Sequence, residues 1–133
     1  MKSFCHKIFP TRNKGVLYQT RGMVKHCFGG MLLVRPCKNK GAVVVSFNSA
    51  ADLPDCLRSL RSEGVADVVV VDNASADASV EVVRRADPDA RIVQTGANLG
   101  FGSAANRGVA VTTGDHVLIL NPDTFVEPGT LKA

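Results

Sequence analysis

The sequence predicts an α/β domain over residues 42–133, a parallel β-α-β sheet flanked by helices, and three recurrences of one device predict it. VVVSFNS (Val43 to Ser49), VVVVDNAS (Val68 to Ser75) and VLILNPDT (Val117 to Thr124) each pass from an apolar run straight into small, polar or acidic residues. Unbroken apolar runs rich in Val suit strands buried on both faces, as parallel strands are. The intervals between the runs are long enough for the crossover helices that parallel strands need.

The elements follow in order. The first strand is expected at about Val43 to Phe47. A helix comes next, capped by Ser49 or Asp52, with Leu53, Leu57 and Leu60 on one face, a stop at Gly64, and Pro54 in its first turn, where a missing N–H costs little. The second strand is Asp67 to Val71. The second helix starts near Ser75, turns Val80 and Val83 inward, and ends before Asp87-Pro88, because proline disfavours a helical residue before it. The third strand is Arg91 to Gln94, a small-residue helix runs from about Phe101 to Thr113 with Gly114 as its stop, and the fourth strand is His116 to Leu120. Four strands that would continue into further ones leave an unpaired edge, from which self-association or poor solubility is expected.

A chain of 133 residues accommodates one such domain, and an apolar fraction of 45% with 21% charged residues argues against disorder as the default. The net charge of +4 averages two unlike segments. Residues 1–41 hold nine Lys or Arg and no Asp or Glu; residues 42–133 hold seven basic against twelve acidic residues, a net of −5. The basic leader, 1–41, shows no sustained helix or strand period and is expected to be poorly ordered, since it buries too little apolar surface to offset its ordering entropy. Its best apolar run, Phe28 to Val34, is far short of the roughly 20 residues that span a bilayer, so no transmembrane segment is expected. Arg35, Pro36 and Lys38 follow that run where a secretory signal would carry its cleavage site. The leader also reads as a cationic arm, a targeting segment or a metal site from Cys5, His6, His26, Cys27 and Cys37, which lack any C-x-x-C pair. No nucleic-acid partner is expected of the acidic domain. Cys56 reads as a small core hydrophobe, and a reducing cytoplasm is the expected home.

Ligands of an open parallel sheet collect outside the carboxyl ends of its strands. Here that rim carries Ser46, Phe47, Asn48, Asp72, Asn73, Asn121 and Asp123. A ring, hydroxyl and amide groups and two carboxylates suit a nucleotide with its metal ion. Phe47 offers a stacking face with Ser46 and Asn48 beside it, although a ring after an apolar run also reads as core. Asp72, straight after four valines, must be exposed or paired. Asp123 suits a hard divalent cation that shares substrate oxygens, although Pro122-Asp123 is also a common turn.

These segments, with NLGFGSAANRG (Asn98 to Gly108) and LNPDT (Leu120 to Thr124), stand in an order and spacing that resemble the nucleotide-sugar half of the family 2 glycosyltransferases, which adopt the Rossmann-like GT-A fold. The likeness is greatest to the rhamnosyltransferase-type branch, where N-P-D stands in for D-x-D. The resemblance implies an inverting transfer from a nucleoside diphosphate sugar, with dTDP-rhamnose a candidate donor, to a glycan or lipid-linked acceptor in cell-envelope polysaccharide synthesis. It implies a divalent metal, Mg²⁺ or Mn²⁺, held by Asp123, with Asn121 at the other outer position of the triplet. It assigns the base to the Ser46–Phe47–Asn48 strand end, the base or ribose to Asp72 with Asn73 beside it, and a wall of the site to Asn98, Gly100 and Asn106. It implies work at the cytoplasmic side, with peripheral contact at the inner face of the membrane. The family's general base lies well beyond the D-x-D-like site, past Ala133, and Glu127 comes too early to serve. The catalytic base is therefore unknown, the domain is read as an incomplete donor half, and the isolated chain is not expected to turn over.

Two other readings compete. One is an inactive fragment or binding module. The other is an NAD-binding dehydrogenase domain, because Gly100 to Ala105 spells G-x-G-x-x-A and Asp123 lies 23 residues beyond Gly100. Against the second, Gly96 to Leu99 separate the glycines from their strand, and the fingerprint belongs to the first β-α crossing rather than the third.

Overall fold

The computed structural model describes residues 4–5, 17–20, 40–114 and 116–131. In chain order these form β1 (Phe4–Cys5), β2 (Leu17–Thr20), β3 (Lys40–Ser46), α1 (Leu53–Ser62), β4 (Asp67–Asp72), α2 (Ser79–Ala86), β5 (Arg91–Gln94), α3 (Phe101–Val111) and β6 (His116–Leu120). The sheet order is β1-β2-β6-β3-β4-β5, with β6, β3, β4 and β5 parallel. The expected parallel α/β sheet is thus present, and β5 and β6 have the expected bounds.

The edge expected to be bare is covered. β2 runs antiparallel along β6, from Leu17 opposite Ile119 to Thr20 opposite His116, and β1 pairs with β2. A four-residue run with no visible period suffices, because an edge strand offers backbone N–H and C=O groups that need partners whatever the side chains are. Of the candidate metal ligands in the leader, His6, His26, Cys27 and Cys37 lie outside the described residues.

Strand alternation divides the core into two layers. On one face Val44, Val68, Val70, Leu118 and Leu120 meet Leu53, Leu57 and Leu60 of α1 and Val83 of α2. On the other, Val43, Val45, Val69, Val71 and Ile119 meet Ala104, Ala105 and Val109 of α3. Each fully buried Val or Leu contributes roughly 1.5–3 kcal/mol. The small residues of α3 let it approach closely: a Cβ on Gly108 would lie 2.3 Å from a Val43 methyl and 2.8 Å from one of Val71.

Three helix ends differ from the sequence reading. Neither Ser49 nor Asp52 caps α1 through its side chain; the Ser49 carbonyl accepts the amides of Asp52 and Leu53. α2 begins at Ser79 rather than near Ser75, because the Ser75 hydroxyl accepts the Asn48 amide in the neighbouring loop. α3 ends at Val111. Beyond it the Thr112 hydroxyl donates back to the Gly108 carbonyl, and Thr113 donates its amide and hydroxyl to Asp67. Burial would raise the Asp67 pKa, but hydrogen bonds from Arg91 and Thr113 and the Arg91 charge hold it below the usual carboxylate range.

The segment after β6 is fastened to the first core layer by Val126 and Leu131. The Val126 amide donates to the Ser59 hydroxyl, and the Glu63 carboxylate accepts the amides of Gly129 and Leu131 at 2.8 and 2.9 Å.

Candidate functional site

From β3 the chain moves to β4 and then β5 on one side, and later returns as β6 on the other side of β3. The sheet reverses its winding between β3 and β6, and a crevice opens at such a point outside the carboxyl ends. A cavity of about 430 Å³ lies there, a size suited to a small-molecule ligand.

Val45 and Phe47 reach it from β3, and Asn121, Pro122 and Asp123 from the end of β6. Asn73 follows β4, Asn98 and Phe101 lead into α3, and Ser49 and Asp52 come from the loop before α1. The structure therefore gathers Phe47, Asn73, Asn98, Asn121 and Asp123, five of the residues singled out by sequence, into one space. Phe47 is 48% exposed, so its ring is not part of the core.

Ser46 and Asp72 lie elsewhere. They are opposite partners in the β3–β4 register and face α2, with Ser79, Val80 and Val83, around a void with no room for a water molecule. Asp72 is 4% exposed; its Oδ2 accepts the Ser75 amide at 3.2 Å, while its Oδ1 and the Ser46 Oγ are buried without a hydrogen-bond partner. The Thr124 hydroxyl, just past Asp123, is a third such oxygen. Buried polar atoms are nearly always paired, so three orphans on one rim single it out.

Asn48 serves the loops. Its φ is 48°, its amide donates to the Ser75 hydroxyl, and its side-chain oxygen accepts the Ala76 amide at 2.8 Å. Ser49 donates its amide to the Ser79 hydroxyl and Ala50 donates to Asp77. Ala74, also left-handed at φ 64°, completes the second loop. Strain of this kind persists only where the surroundings impose it.

Asn73 locks the entry to α3. Its amide nitrogen donates to Asn98 Oδ1 at 2.9 Å and to the Gly100 carbonyl, and its oxygen accepts the Leu99 amide at 2.9 Å. Gly100 takes a φ of 79° there and donates to Asn98. Neither Gly100 nor Asn106, which is exposed on α3, lines the cavity.

Sequence reasoning missed Asp52, Ser49, Pro122 and Phe101. Asp52 had been read as a cap, yet it makes no capping bond and lines the cavity. Beneath it, the Cys56 thiol is pushed up to about 12, first by burial and then by the charges of Asp123 and Asp52. Both carboxylates line the same cavity. Among the described residues no cluster of three or more His, Cys, Asp or Glu could hold a metal ion. Two carboxylates and the Asn121 amide suit a hard cation that takes its remaining oxygens from a ligand or water.

The glycines of the G-x-G-x-x-A stretch make no close approach within the domain, since a Cβ on Gly100 or Gly102 would meet nothing within 4 Å. The turn directly off β3, where a dinucleotide fingerprint belongs, is Phe47-Asn48-Ser49 and holds no glycine.

Comparison with known proteins places the chain. The family model described as Glycosyl transferase family 2 matches residues 42–133. An N-acetylglucosaminyl-diphospho-decaprenol L-rhamnosyltransferase of Mycobacterium tuberculosis is 34% identical over 86 residues, 56% of this chain and 28% of its own length. A putative glycosyltransferase of Bacillus subtilis, EpsH, is 29% identical over 91 residues, 65% of this chain and 26% of its own. These matches span less than a third of either relative. Among solved structures, S. aureus TarS in complex with UDP superimposes with a TM-score of 0.65 at 25% identity, over 70% of this chain and 30% of that one. Glucosyl-3-phosphoglycerate synthase of M. tuberculosis, in complex with Mn²⁺, UDP and glucosyl-3-phosphoglycerate, gives a TM-score of 0.56 at 23% identity, over 63% of this chain and 33% of that one, a likeness of fold alone. The sheet that opens between β3 and β6 is the GT-A sheet, and the chain belongs to Glycosyl transferase family 2.

Proposed function

We propose that residues 42–133 are the donor-binding part of a glycosyltransferase and hold a nucleoside diphosphate sugar, together with Mg²⁺ or Mn²⁺, in the crevice between β3 and β6. The observation that carries this reading is that an exposed ring, Phe47, and a carboxylate, Asp123, share one cavity at the point where the sheet reverses. The base stacks on Phe47, and the diphosphate lies toward the end of β6. Asp123 and Asp52, with Asn121, hold the cation. When bound, the cation offsets the negative charge that develops on the departing diphosphate. Asp72 and Ser46 offer unpaired oxygens to the base or ribose once α2 over them yields.

The donor proposed is dTDP-rhamnose and the acceptor a lipid-linked or glycan hydroxyl of the cell envelope, on the support of the mycobacterial relative, an L-rhamnosyltransferase. A cytoplasmic site with peripheral contact at the membrane fits that acceptor, and no helix among the described residues is long and apolar enough to cross a bilayer. We propose further that these residues bind donor without sustained transfer, because both cavity carboxylates are engaged at the cation end.

Titration calorimetry of dTDP, UDP and NAD, each with Mn²⁺ or with chelator, tests the reading. Binding of dTDP or UDP that strengthens with Mn²⁺ is expected. Metal-independent NAD binding with no dTDP or UDP signal would overturn it.

A further inference from the structure

We infer that Phe101 is a second aromatic wall of the crevice, and that the planar base is held between its ring and that of Phe47. This rests on the nucleotide reading above and adds to it a residue that decides affinity at the base end.

Phe101 is the first residue of α3, is 40% exposed, and lines the same cavity as Phe47. Spacings of three, four and seven put Phe101 on the same helix face as the buried Ala104, Ala105 and Gly108, but one turn earlier, where the face has passed the core and its ring lines the cavity instead. The backbone that carries the ring is nevertheless held in place. Gly100, in its left-handed conformation, starts the helix, and its carbonyl and the Leu99 amide are both bound to the Asn73 side chain. A solvent-facing ring on a fixed backbone has only its side-chain torsions to lose on meeting a ligand, a condition that favours stacking.

The cavity is also polarised. Phe101 is tied through Asn73 to the end of β4, Asp123 follows β6, and β3 with Phe47 lies between them. Rings therefore line the cavity from the β4 side to β3, and the Asp123 carboxylate stands beyond them on the β6 side. A nucleoside diphosphate with its cation has the same polarity: a flat, apolar-faced base at one end, and at the other an anion that a divalent ion joins to carboxylates. Stacking is tolerant of base identity, so Phe101 sets how tightly a nucleotide binds and leaves the choice of base to polar groups.

The test uses the full 133-residue chain, with dTDP, dTDP-rhamnose and the base-free probe pyrophosphate, each titrated with Mn²⁺. Phe101→Ala and Phe101→Leu should each weaken dTDP by about tenfold or more, the loss that removal of one stacking face causes. Phe101→Tyr should keep the wild-type affinity, and none of the three should change pyrophosphate binding. In proton NMR the thymine methyl and H6 signals should move upfield on the wild-type protein and less so on Phe101→Ala. Three outcomes overturn the proposal: unchanged dTDP affinity in Phe101→Ala, an equal loss for pyrophosphate, or a loss seen with dTDP-rhamnose and not with dTDP, which would put the ring against the sugar. A wild-type chain that binds pyrophosphate but neither dTDP nor UDP would sink the underlying nucleotide reading instead. Circular dichroism of the variants separates each result from misfolding.

Discussion

Two neighbouring residues of β3 and its end, Ser46 and Phe47, enter opposite worlds. Phe47 stands in an open crevice toward β6 and α3, with amides and carboxylates around it. Ser46, one residue earlier, faces α2 beside Asp72 in a void closed to water, with its hydroxyl unpaired. The pleat of the strand imposes the split, because successive side chains leave a strand on opposite faces. A motif that is contiguous in sequence is thereby divided between an open crevice and a polar pair packed against α2.

The difference can be broken most decisively from the open side. Asp123→Asn should remove most of the metal dependence of dTDP binding, with a fall in Mn²⁺ affinity of about 100-fold or more, beyond the 10–100-fold typical of losing an outer-shell partner. Calorimetry with and without chelator measures it; a variant as metal-dependent as wild type would move the cation away from β6. On the sealed side, Asp72→Ala should weaken dTDP by about 1.5–3 kcal/mol with or without metal, the value of a hydrogen bond to a charged group. If the variant keeps its dTDP affinity and only its melting temperature changes, the Ser46–Asp72 pair belongs to the scaffold and the two sides of β3 are unlike in role as well as in shape.

A smaller effect sharpens the boundary between wall and core along α3. Gly108→Ala should destabilise the fold by about 1–3 kcal/mol through overpacking, given the 2.3 Å approach to Val43. Gly102→Ala, whose Cβ would meet nothing within 4 Å, should instead stabilise the helix by roughly 0.5–1 kcal/mol. Urea unfolding of the two variants gives both signs at once. A reversal would place the critical glycine where a dinucleotide-binding fingerprint puts it.

Much of this architecture is legible from local pattern. The valine runs forecast strands buried on both faces, Pro88 stops α2, and β5 and β6 are bounded by turn residues on the expected sides. What sequence could not supply were choices made between distant segments. Ser75 has the residue type of a helix start, yet its hydroxyl goes to Asn48 of the β3–α1 loop, while Asp77 accepts from Ala50 of that loop and from Ser79 at once, pairings set by a loop 25 or more residues away. β2 is invisible without β6, since its strand character comes from an edge to pair with. Asp52 has the residue type and position of a cap, and only the folded crevice gives its carboxylate another setting. Phe101 shares the helix face of Ala104, Ala105 and Gly108 and so reads as one more core residue, and only its place at the first turn of the folded helix puts it in the crevice.

The hydrogen bonds that join the loop after β3 to the loop after β4 run both ways. The amides of Asn48 and Ala50 donate to side chains of the second loop, that of Ser49 to the first residue of α2, and the amide of Ala76 donates to a side chain of the first loop. Such amides exchange with solvent only when the partner loop lifts, so in deuterated water these four positions should label together, as one cooperative unit, although they belong to separate stretches of chain. Ser75 meets Asp72 through its amide and Asn48 through its hydroxyl, so an opening that lifts Ser75 loosens the Asp72 carboxylate and the backbone next to Phe47 together, and access to the sealed side of β3 by that route comes at the expense of rigidity on the open side.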